Sequence, residues 1–156
     1  MVFFFSERGR LTCPICSKRN WQQLENDLWR LEQWVQYAEA IQGNRPALPS
    51  SIESLEDVIQ DHKELLIDLD SHKSIFVALN IVGDHLADHV GDVEKARILR
   101  QKLKALSLRW DKICSQASHW QRKLQEALID VSFFFFFIIV VIQMIGSLKK
   151  EKKFFF

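Results

Sequence analysis

From Trp21 onward the apolar positions fall into a regular beat. Trp21, Leu24, Leu28, Leu31, Val35 and Ala38 are separated alternately by three and four residues. That spacing places them on one stripe of an α-helix, the seam by which a helix packs against its neighbours. Gly43 offers a left-handed C-terminal cap, and Pro46 and Pro49 forbid continuation, so the first helix is predicted over about 21–42. Ser50-Ser51-Ile52-Glu53 has the form of a capping box opening a second helix over about 51–88. Its seam reads Leu55, Ile59, His62, Leu66, Leu69, Lys73 and Phe76. A glycine inside a helix costs about 1 kcal/mol relative to alanine, so a bend or phase slip is expected near Gly83. Asp92 is placed to cap a third helix over about 93–130. There Ala96, Leu99, Leu103, Leu106, Trp110, Ile113, Ala117, Trp120, Leu124 and Ala127 keep the three–four spacing without a lapse.

None of these helices is stable alone, because each carries a stripe that must be covered. Short connections make successive helices antiparallel neighbours. The predicted fold class is therefore all-α, an elongated up-down-up three-helix coiled-coil bundle over residues 21–130. Charge agrees. Residues 21–92 carry 4 basic and 14 acidic side chains, whereas 93–130 carry 9 and 4. An acidic first pair and a basic third helix attract along their flanks, which sets orientation more than stability. The bundle as a whole is acidic, with 13 Lys and Arg against 18 Asp and Glu. That balance gives no footprint for nucleic acid.

The flanks read differently. Of twelve phenylalanines, only Phe76 lies within 21–130; the rest form Phe3–Phe5, Phe133–Phe137 and Phe154–Phe156. Runs of Phe are what thymine-rich DNA gives on translation, and Val131-Ser132 is how a common splice-donor sequence reads in frame. Residues 1–20 and 131–156 are accordingly expected to include read-through of non-coding sequence. The rival expectation is a membrane tail. Phe133 to Ile145 is apolar apart from Gln143, and extending it to 131–148 gives a marginal span where about 20 residues are needed.

Candidate chemistry is sparse. Cys13-Pro14-Ile15-Cys16 has half the spacing of a zinc ribbon, but a structural zinc needs four ligands and no second pair follows closely. It is read as incidental thiols. His85 and His89 stand at i and i+4, yet Leu86 occupies the place where a zinc protease carries its glutamate. They are read as solvated residues at a helix end, and His62 as a half-buried core histidine. No phosphate loop, nucleophile elbow or carboxylate pair is present, so no catalysis, cofactor or metal is expected. Trp21, Trp110 and Trp120 fall on seams and read as core, while Trp29 and Trp34 lie beside the seam. These two either widen the buried face or touch a partner.

Several of these residues together resemble a spectrin repeat. The first helix carries Leu31-Glu32-Gln33-Trp34-Val35 and then Glu39. The second carries His62-Lys63, Asp68-Leu69, His72 and Leu79-Asn80-x-x-Gly83. The third carries Leu106-x-x-Arg109-Trp110-x-x-Ile113 followed by Trp120-Gln121-x-x-Leu124. Ser71-His72-Lys73-Ser74 and Leu79-Asn80-Ile81-Val82-Gly83 look most like repeats of nesprins. The resemblance implies a non-enzymatic scaffold or spacer, cytoplasmic, in an actin-binding cytoskeletal setting or at the outer nuclear membrane. Its partners would be neighbouring repeats and cytoskeletal or nuclear-envelope proteins. The alternative is a tail-anchored protein presenting a helical bundle to the cytosol.

Overall fold

The computed structural model describes Cys16 and residues 18–154, the side chains of Lys18 and of 147–154 excepted. Three α-helices follow one another: α1 (Lys18–Gly43), α2 (Ile52–His89) and α3 (Val93–Phe154). Their ends show which local signals act. Ser51 caps α2, its hydroxyl accepting from the Ser54 N–H at 3.3 Å and bonding the Ser54 hydroxyl at 2.8 Å. The expected reach of Glu53 back to the cap is replaced by this Ser51–Ser54 pair. Asp92 Oδ1 caps α3, accepting from the N–H groups of Glu94 and Lys95 at 3.0 and 3.1 Å. Gly43 departs from expectation: no glycine among the described residues has a positive φ. Instead α1 runs through Gly43, the Asn44 N–H reaches the Ala40 carbonyl at 3.1 Å, and Pro46 stops the chain.

The chain divides into two compact units. One holds the described residues up to Arg45 together with Leu65–Gln116, hence α1, the second half of α2 and the first part of α3. Cross-helix pairs give the directions. Cys16, just ahead of α1, meets His85 near the end of α2, and Trp34 of α1 meets Asp68 of α2, so these helices are antiparallel. On α2 and α3, Asp88 meets Arg100 and Asn80 meets Ser107, again antiparallel. On α1 and α3, Lys95 covers Trp21 and Arg109 meets Glu39, so they are parallel. This is an up-down-up three-helix bundle. Its buried core includes Leu24, Leu28, Leu31, Val35, Leu65, Leu79, Leu86, Leu99, Leu103, Leu106, Trp110 and Ile113, with Trp21, Leu69 and Phe76 half-buried against it.

Gly83 is inside this core and α2 runs unbroken through it. A Cβ there would lie 2.6 Å from Leu103 Cδ1, so the glycine serves close approach of α2 to α3. The phase change comes earlier. Leu65 is buried while Leu66 is half-buried, and His72 rather than exposed Lys73 takes the next packed position. A straight helix drifts against a strict seven-residue repeat, and the pair Leu65-Leu66 offers either phase.

The second unit holds Pro46–Glu64 and the described residues from Ala117 onward. Its buried residues are Leu55, His62, Ala117 and Leu124, with Ile59 and Trp120 half-buried. Here α3 does not stop near residue 130 but continues as helix to Phe154.

Candidate functional site

Two constellations stand out in the first unit. At its centre, Trp34 leaves its place beside the seam and widens the buried face. Its indole N–H donates to Asp68 Oδ2 at 2.6 Å, and its ring stacks on His72 with centroids 4.3 Å apart. The same ring tilts against Trp110 at 5.5 Å, and Trp110 stacks on Phe76 at 4.6 Å. Trp29, by contrast, is 62% exposed. The His72 Nδ1–H donates to the Asp68 carbonyl at 2.8 Å, fixing the ring that Trp34 covers.

Around this aromatic stack run polar ties. Arg109 makes a two-pronged pair with Glu39 at 2.9 and 2.7 Å, geometry suited to a guanidinium and a carboxylate. The Arg109 hydrogen bond holds the Glu39 carboxyl below its ordinary pKa. Gln42 donates to the Ile113 carbonyl at 3.0 Å, and the Ser107 hydroxyl donates to Asn80 Oδ1 at 3.3 Å. The Asn80 amide in turn donates to the Phe76 carbonyl at 2.9 Å. Each tie joins particular residues on particular turns, so together they fix helix register where an apolar core alone tolerates sliding. Burial pushes the Cys114 thiol above its ordinary pKa, which favours its protonated form.

The second constellation lies where α1 begins and α2 ends. Cys16 Sγ is 3.5 Å from His85 Nε2, and the His85 and His89 rings stack with centroids 4.2 Å apart. Ligand atoms of Cys16, His85 and His89 all lie within 4.8 Å of one another. Two features read separately along the sequence are thus brought together across 69 residues. The topology carried the signal: in an up-down pair, the start of the first helix and the end of the second are neighbours. Cys13 lies outside the described residues.

In the second unit, the apolar stretch of α3 stands uncovered: Phe133, Phe134, Phe136, Phe137 and Ile142 are each more than 60% exposed. By length and composition alone this helix could cross a membrane.

A spectrin-repeat family model matches residues 19–126, and the three-helix architecture agrees with it: the chain belongs to the spectrin-repeat family, a structural and non-enzymatic one. It is 61% identical over 124 residues to Muscle-specific protein 300 kDa of Drosophila melanogaster, covering 80% of this chain and 1% of that protein. It is 25% identical over 116 residues to human Nesprin-2, covering 72% of this chain and 2% of that protein. The chain therefore spans a very small part of the relatives it matches. The 124-residue match is longer than the span 21–130, so similarity reaches into at least one flank.

Proposed function

We propose that this chain is one repeat of a long scaffold that spaces and mechanically links cytoskeletal elements, carrying load along its helices to a membrane or nuclear-envelope attachment. The observation that supports this reading is the polar and aromatic lock at the centre of the first unit. Trp34, Asp68, His72, Trp110, Glu39 and Arg109 tie three helices at defined turns, which resists one helix sliding past another under tension. Similarity to a muscle protein and to a nesprin favours the same role, with neighbouring repeats and actin-associated or nuclear-envelope proteins as partners and the cytoplasmic face as the setting. Pulling the chain by its ends in an atomic-force instrument tests the role. A load-bearing repeat gives one abrupt, cooperative release of roughly 30–35 nm, the extended contour of about 110 residues less the few nanometres the folded helices already span. Gradual extension without a release event would remove the force-bearing part of the proposal.

A second reading has its own support, the exposed apolar stretch of α3. Under it the repeat is held at a bilayer through 131–148. Flotation of the chain with phosphatidylcholine vesicles, lost on removing residues 131–156, is the result it requires.

A further inference from the structure

We infer that Cys16, His85 and His89 form a zinc site of three protein ligands, its fourth position open to water, that fastens Cys16, just ahead of α1, to the end of α2. Nothing in the load-bearing reading needs this site, and it stands on separate observations.

The first is geometric. Zinc binds thiolate at about 2.3 Å and imidazole at about 2.0–2.1 Å in a tetrahedron. Sulfur and nitrogen on one such ion therefore stand about 3.5 Å apart. Cys16 Sγ and His85 Nε2 are separated by 3.5 Å. A thiol–imidazole hydrogen bond has a similar length, so this distance alone does not choose between them. The third group does. His89 brings its ligand atom within 4.8 Å of the other two, a convergence that the hydrogen bond does not require.

The second observation concerns protons. His89 Nδ1 lies 2.7 Å from the His85 carbonyl oxygen. A carbonyl only accepts, so Nδ1 carries the hydrogen and the Nε2 of the neutral ring keeps its lone pair. Histidines that bind metals are held in this way, the second nitrogen donating to a carbonyl or carboxylate. His89 is exposed, and its ring stacks on His85, so the two imidazoles stand side by side at the end of α2.

The third is the sequence. His85 and His89 have the three-residue spacing of paired zinc imidazoles. An open cavity lined by Cys16, Trp21, Glu25, Leu86, His89 and Lys95 adjoins the cluster and gives an ion a way in. On binding, the Cys16 thiol releases its proton to solvent, the two neutral imidazoles contribute lone pairs, and the ion with one thiolate keeps a single positive charge, with water in its fourth position.

The test uses the full reduced, metal-free chain, in mild detergent so that the apolar stretch of α3 does not associate. Zn²⁺ is titrated against a chromophoric chelator, and Co²⁺ is followed by absorption. The expected result is one metal per chain, a tetrahedral cobalt spectrum with thiolate charge-transfer bands, and a higher melting midpoint with Zn²⁺. Cys16→Ser and His89→Asn should each weaken binding by about tenfold or more, with Cys114→Ser unchanged as the control. Circular dichroism of each metal-free variant should match that of the parent chain. Failure of the unsubstituted chain to take up stoichiometric Zn²⁺ overturns the site whatever the variants do. So does unchanged binding in both Cys16→Ser and His89→Asn.

Discussion

The two stretches of α3 are written in the same secondary structure and in different sequence logic. Along 93–130 every third or fourth residue is apolar, and Ala96, Leu99, Leu103, Leu106, Trp110, Ile113, Ala117 and Leu124 are buried. Along 133–142 every residue is apolar, and Phe133 is 73% exposed, with all of its neighbours to Ile139 exposed too. Helix continuation is a local matter, because each further residue adds a hydrogen bond once a helix exists. Burial is not local. A stripe can be covered by two neighbouring helices, whereas a surface apolar all round can be covered only by lipid or by another apolar surface.

The largest expected effect comes from removing that contrast altogether. Without detergent, residues 1–156 should elute from size exclusion as associated material and residues 1–130 as a monomer. Phe133 to Val141 also joins high β propensity with no charge and no proline, the composition of an aggregation-prone segment. Equal monomeric elution of the two would break the distinction between the stretches.

Next comes the ordered side of the comparison. Trp110→Ala in residues 1–130 should cost about 3–5 kcal/mol in denaturant melts, as core Trp truncations do. It empties the place between Phe76 and Trp34. A loss below about 1 kcal/mol would show that the stack does not hold the unit together.

Gly83→Ala sets two smaller terms against each other. Crowding of Leu103 should cost about 1–3 kcal/mol, and helix propensity returns about 1 kcal/mol. A modest net destabilisation is expected. Gly146→Ala, with nothing within 4 Å of its added Cβ, should show no such cost. Stabilisation by both substitutions would mean that α2 and α3 do not approach closely at Gly83.

The smallest effect is electrostatic. The Glu39 carboxyl has a lowered pKa because Arg109 bonds its charged form. Its contribution is therefore complete above the ordinary carboxylate pKa and is lost as pH falls through the lowered folded value. The pair is about one-third exposed on each side, 34% and 36%, which limits it to about 1 kcal/mol or less. Glu39→Gln should make stability fall less steeply with acid. An unchanged acid limb would show the pair to be energetically idle.

These contrasts also explain what could be read in the chain beforehand. The seams of α1 and α3 were legible because Leu24, Leu31, Leu103 and Leu124 have no apolar neighbour offering a competing phase. In α2 the neighbours Leu65 and Leu66 fit two phases, and only the packing of three helices selects Leu65. The end of α3 was misread because the seam ends near Ala127, whereas the helix, needing no seam, does not. Trp34 stood one place off the stripe, and its role came from Asp68 and His72 on another helix. The Cys16–His85–His89 cluster was the least legible, since its members meet only once two helices have folded back on each other.

The ring stack has one last consequence, an optical one. Trp34 and Trp110 touch each other, one faces an imidazole and the other a phenyl ring, so both fluorophores sit in a defined and easily disturbed electronic environment. Emission excited at the indole band should therefore shift and change in yield when α1 lifts away from α2. Trp29, already facing water, would give a constant background. The repeat thus carries its own reporter of partial opening, readable under load or on partner binding without any attached dye.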